Sequence, residues 1–128
     1  MSRIKIFIIL FIFYAITLNA QTTIYEPSQS ASAKYRLFRT TNMWTFLKLE
    51  TTTGKIWILQ YDVNGDDRFT VELNTEDLSG GKEKSPGRFT LYPTANMYTF
   101  ILLDQLYGNT WQVQWSFEPE TRFIIPID

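Results

Sequence analysis

Gly54-Lys55-Ile56-Trp57-Ile58-Leu59-Gln60-Tyr61 returns 54 residues later as Gly108-Asn109-Thr110-Trp111-Gln112-Val113-Gln114-Trp115. The match extends without a gap over all of 37–74 against 91–128. Phe38 through Phe46 therefore align with Tyr92 through Phe100, and Arg68-Phe69 with Arg122-Phe123. A long ungapped self-match is the mark of a duplicated supersecondary unit, and it sets the architecture before any other reading.

Within each copy the pattern alternates, with β-branched and aromatic residues at the alternating positions. The spacing predicts strands at 35–39, 43–50, 55–61 and 67–73, then 89–92, 97–104, 109–115 and 121–127. The expected fold is all-β: two tandem four-stranded antiparallel repeats, 34–74 and 88–128, forming a pseudo-twofold β-sandwich or small barrel. Loop 75–87, with Gly80-Gly81 and Pro86-Gly87, joins them over the surface. Pro126 has no amide for a ladder, so the last strand is expected at an edge. A unit of about 40 residues is too small to bury a core alone, so each repeat must cover the other.

Glu50-Thr51-Thr52-Thr53-Gly54 and Asp104-Gln105-Leu106-Tyr107-Gly108 both read as hairpin turns. An acidic head accepts amides and glycine takes a positive φ. The spacing of Glu50, Thr53, Gly54 and Trp57 resembles the Asp-x-x-Thr-Gly-x-x-Trp blade motif of quinoprotein-type β-propellers over about eight residues, with Tyr107 replacing the threonine in the second copy. Two repeats are too few to close a propeller, which takes about four or more blades, so the resemblance implies a related antiparallel unit only.

Comparing the copies sorts faces. Trp57, Leu59 and Tyr61 align with Trp111, Val113 and Trp115 and stay bulky, which assigns that face to the core in both repeats. Ile56, Ile58 and Gln60 become Thr110, Gln112 and Gln114, which assigns the opposite face to solvent or a partner. The preceding strand carries Trp44, Phe46 and Lys48 against Tyr98, Phe100 and Leu102. Candidate binding residues are those exposed by this reading or divergent between copies: Trp44, Lys48, Ile58, Tyr98, Phe100, Leu102, Gln112 and Gln114.

Residues 1–20 have a different composition. Arg3 and Lys5 precede an apolar run from Ile6 to Ile16, and Ala20 offers a small residue for cleavage before Gln21. This predicts a cleaved signal peptide, hence a periplasmic or secreted protein with no stable membrane anchor. About eleven apolar residues fall short of the ~20 that cross a bilayer. Residues 21–33 read as a flexible lead to a single β-domain at 34–128. Removing the signal leaves ten basic against thirteen acidic residues, a net charge of −3. That balance argues against a nucleic-acid partner.

The chain contains neither histidine nor cysteine. This excludes Ser-His-Asp and Cys-His nucleophilic sites, the usual zinc sets and disulfides. Glu50 and Asp104 are repeat-related carboxylates of the kind a glycosidase pairs across a cleft, but each has a turn role. Asp62-Val63-Asn64-Gly65-Asp66-Asp67 has alternate oxygens suited to calcium; it lacks the terminal glutamate of an EF-hand and reads as a hairpin turn. No cofactor or metal is expected. The function that fits is non-catalytic binding of another macromolecule, a protein first, as a periplasmic inhibitor or immunity-type protein would do, with a glycan as the alternative.

Overall fold

The computed structural model describes residues 30–128; the expected signal peptide and most of the expected lead lie outside the described residues. The eight strands are β1 (Tyr35–Arg39), β2 (Thr45–Glu50), β3 (Ile56–Gln60), β4 (Phe69–Asn74), β5 (Phe89–Pro93), β6 (Thr99–Asp104), β7 (Thr110–Gln114) and β8 (Phe123–Ile127). They form two four-stranded sheets, ordered β1-β2-β3-β4 and β5-β6-β7-β8, with every pairing antiparallel. One sheet from each repeat packs on the other, giving a β-sandwich of two internal repeats rather than a closed barrel. β8 is an edge strand, as Pro126 requires.

The strands begin later than the alternation alone suggests because an Asx turn takes the residues before them. Asn42 Oδ1 accepts the Trp44 amide at 2.9 Å and Asn96 Oδ1 accepts the Tyr98 amide at 3.0 Å. Thr40 and Thr94 donate their hydroxyls across the same hairpins to Thr45 O at 2.8 Å and Thr99 O at 2.7 Å. Asparagine thus competes successfully with the ladder for these amides, turning a predicted strand residue into a turn residue. The next hairpin of each repeat closes on Gly54 and Gly108, both at φ 81°, whose amides bond the carbonyls of Glu50 and Asp104.

The core lies between the sheets, and the two copies reach it through different faces. β2 buries Thr45, Leu47 and Leu49, whereas its copy β6 buries Phe100, Leu102 and Asp104, the equivalents of Phe46, Lys48 and Glu50. β3 follows the same rule, burying Ile56 and Ile58, while from the second copy Val113 and Trp115 are buried. The expectation that Trp57, Leu59 and Tyr61 form a core face is therefore corrected: Trp57 and Leu59 are half-buried and Tyr61 is exposed, on the outside of the first sheet. For Val113 and Trp115 the expectation holds. The physical reason is stacking. When two copies of one layer lie like plates in a pile, the upper face of one meets the lower face of the other, so equivalent residues end in opposite environments.

Loop 75–87 is tied down more firmly than a surface connection need be. The Leu78 amide bonds Thr53 O at 2.7 Å, and Asn74 Nδ2 donates to Gly54 O at 2.8 Å. Beneath the loop, Arg88 and Asp104 form a bidentate ion pair at 3.1 and 2.8 Å with side chains 2% and 1% exposed. Arg88 also donates to Ser79 O and Glu83 O, and its guanidinium lies 4.7 Å from the Tyr107 ring centre. Thr51 joins the two repeats: its carbonyl accepts the Phe89 amide at 2.9 Å and its hydroxyl oxygen accepts the Gly87 amide at 2.9 Å.

Candidate functional site

Cross-strand register gathers the displaced bulky residues of repeat one on a single surface. Leu37 pairs with Lys48 and Lys48 with Trp57; Arg39 pairs with Phe46 and Phe46 with Leu59. Residues opposite one another in antiparallel strands share a face. The outer face of the first sheet is therefore an aromatic and aliphatic surface crossed by cations.

Its side chains hold each other in place. Lys48 Nζ lies 4.8 Å from the Trp57 ring centre and 6.0 Å from that of Tyr35, and the Arg39 guanidinium lies 5.9 Å from Phe46. Each is a cation–π contact, and Lys48 lays its apolar stem along the sheet while its charge stays at the surface. Tyr61 packs between Trp44 at 5.3 Å and Phe46 at 6.1 Å. The Tyr35 hydroxyl donates to Glu50 at 3.4 Å. Between these groups runs an open, mainly apolar groove of about 480 Å³, with Leu37, Phe46, Leu59, Tyr61 and Thr70 along it and Arg68 at one side.

The sequence-predicted binding residues fall into four groups. Trp44 and Lys48 belong to this face. Gln112 and Gln114 lie on the outer face of the second sheet, where Gln114 Nε2 donates to Thr121 O at 2.9 Å. Tyr98 is exposed in the β5–β6 turn and packs on Trp115 at 5.0 Å. Ile58, Phe100 and Leu102 are corrections: at 0%, 3% and 0% exposure they are core residues packed between the sheets. The first sheet covers Phe100 and Leu102, while Tyr98 stays exposed at the turn. Residues missed as surface are Tyr35, Leu37, Phe46, Trp57, Leu59 and Tyr61. Lys48 was the available signal, since an ammonium on the Phe46 side of β2 marks that whole face as reaching water.

The carboxylates do not converge. Asp104 is buried and held by Arg88, with the Leu106 and Tyr107 amides donating to it at 3.0 and 3.2 Å. Burial acts to raise its pKa, but the hydrogen bonds from Arg88 and these amides outweigh it and hold the carboxyl below the usual aspartate value. Glu50 points to the outer face, so the two do not flank one cleft. Asp62 uses one carboxylate oxygen for the Asn64 amide at 3.2 Å and the other for the Asp67 amide at 3.3 Å, as an Asx turn does. Gly65 has no positive φ, so its turn is not of the glycine-dependent hairpin type expected. Among the described residues no group of three or more acidic side chains is placed to hold a metal ion, and no helix is long and apolar enough to cross a membrane.

No protein-family model matches the chain, and no curated protein or solved structure shows significant similarity to it.

Proposed function

We propose that this is an exported, non-catalytic β-domain that binds another protein through the outer face of its first sheet. The observation that carries the reading is the concentration of Tyr35, Leu37, Phe46, Trp57, Leu59 and Tyr61 on one surface with an open groove. Several remain well exposed, although the fold has an interior where bulky side chains can be buried. Aromatic residues with a cation at the rim are the composition of a binding core; a solvated sheet face alternates to polar instead. Export follows from the positively charged, apolar start of the chain.

A glycan is the second reading, favoured by the Trp57 ring lying beside Lys48 and Tyr35, the arrangement in which sugars stack on a ring and bond to polar neighbours. A photo-crosslinking residue at Leu59, used in the native envelope, separates the two. The protein reading expects a discrete protein adduct that Tyr61→Glu removes and that the same probe at Leu106 does not form. No adduct from Leu59, or one that survives Tyr61→Glu, refutes it, and saturable binding to a glycan array supports the alternative.

A further inference from the structure

The contact between the two sheets is heterologous, and this leaves a matched pair of faces open. The inner face of the first sheet meets the inner face of the second, and these are opposite faces of the repeat. Shifting by 54 residues, the outer face of the second sheet is the copy of the first sheet's inner face. It carries Tyr92, Ile101, Leu103, Phe123, Ile125 and Ile127, of which Tyr92, Ile125 and Ile127 are exposed. Likewise the outer face of the first sheet is the copy of the second sheet's inner face. Phe46, Trp57, Leu59 and Tyr61 stand where Phe100, Trp111, Val113 and Trp115 pack in the core. The molecule therefore displays, unpaired among the described residues, both halves of the contact that holds it together.

We infer that a second copy of this chain seats the outer face of its second sheet on the outer face of the first, repeating the internal contact one step further. This rests on the protein-binding reading above and names the partner. An interface of this head-to-tail kind closes into a ring if its rotation divides a circle and otherwise grows as a filament.

Two features support a copy over an unrelated protein. The backbone shapes already match, because the same layers pack in this manner inside each chain. The polar departures are also distributed as a pair. Lys48 replaces Leu102 on one free face and Gln112 replaces Ile58 on the other, so both sides have gained a polar group and neither has gained a charge of the same sign as its counterpart. Loss of apolar groups from the middle of both faces makes the contact between chains weaker than the one within them, as a reversible assembly requires. One contact can be transferred directly. Phe69 meets Phe117 edge-on at 5.1 Å within the chain, and the same step places Phe123 of one copy against Val63 of the next.

The test uses one substitution on each face. Tyr61→Glu spoils the first face and Ile125→Glu the second, at positions 41% and 48% exposed, where folding tolerates charge. In sedimentation equilibrium the unaltered protein should show a mass rising with concentration. Each variant alone should stay monomeric, and an equimolar mixture should form a 1:1 dimer, because each still carries the face the other lacks. Leu106→Glu should associate like the unaltered protein. Leu59→Lys with Ile127→Lys serves as a second pair, with melting curves reporting that each variant is folded. Independently, Val63→Cys mixed with Phe123→Cys should oxidise to the mixed disulfide in preference to either homodimer. A monomeric unaltered protein at millimolar concentration overturns the inference, as does a variant that dimerises unaided. If the Leu59 crosslink to another protein persists in that case, the binding reading survives and only the identity of the partner fails; if it too is absent, both fail.

Discussion

Asp104→Ala removes the carboxylate that holds Arg88 beneath loop 75–87. Four hydrogen bonds end on Asp104: two from Arg88, and one each from the Leu106 and Tyr107 amides. The turn amides are part-buried and recover water at a cost of about 1 kcal/mol. The guanidinium does not recover, because its side chain is 2% exposed and only Ser79 O and Glu83 O remain to it. Breaking a buried pair by removing one partner costs about 3–5 kcal/mol. For a domain near 100 residues each kcal/mol shifts Tm by about 4–8 °C, so the transition should fall by more than about 10 °C. Replacing both groups, Arg88→Met with Asp104→Leu, removes the stranded charge and should recover most of the loss, a strongly non-additive cycle. Urea unfolding followed by tryptophan fluorescence measures the four corners, which are the unaltered protein, Arg88→Met, Asp104→Leu and the double variant. A cost under about 1 kcal/mol for Asp104→Ala, or a double variant as unstable as the sum of the singles, refutes the assignment of this pair as a buried support.

Acid should act on the same pair. The Asp104 carboxyl is held below its ordinary value, so its contribution to stability is complete above the unfolded aspartate pKa of about 3.9 and is lost as pH falls through the lower folded value. Asp77, lowered chiefly by its hydrogen bond from Lys84, adds to the same slope. Stability should therefore drop on acidification below about pH 4, and less steeply in the Asp104→Leu/Arg88→Met variant; equal slopes would remove Asp104 from the account. Gly108→Ala should cost about 1–2 kcal/mol from its φ alone, since the new methyl meets nothing within 4 Å. Gly87→Ala should cost more, because at φ 87° its methyl also collides with the Ala31 carbonyl, and a smaller loss there than at Gly108 would contradict the packing of residues 30–33. In single-tryptophan variants iodide should quench Trp44, at 37% exposure, and spare Trp115, at 2% with its indole N–H bonded to Met97 O; equal quenching would count against the face assignment.

The repeat, its eight strands and its glycine turns were legible because each is a local property: period two, an acidic turn head, a residue free to take positive φ. Which face is buried was not, because alternation defines two faces without ranking them when both are apolar. Comparing the copies ranks them only on the premise that equivalent faces have equivalent surroundings. That premise suits layers related by rotation about an axis between them and fails for layers stacked like plates. Ile58 and Gln112 differ because one is core and the other is surface, not because both diverged in solvent. Trp57 and Trp111 agree although one lies outside and the other inside. The Arg88–Asp104 pair was hidden for another reason: its partners are 16 residues apart, the β5–β6 register brings them together by setting Phe89 opposite Asp104, and loop 75–87 folds over them to bury the charges. Lys34 and Glu50, their equivalents in the first copy, form no such buried pair.

The central claim is that equivalent residues of the two copies lie on opposite sides of their sheets. With no native cysteine, single cysteines at Ile58, Leu59, Gln112 and Val113 in dilute protein test it by their rate of alkylation. The account predicts fast labelling at 59 and 112 and protection at 58 and 113. Protection at 59 and 113 together, with labelling at 58 and 112, would show that both copies bury the same face and would contradict it.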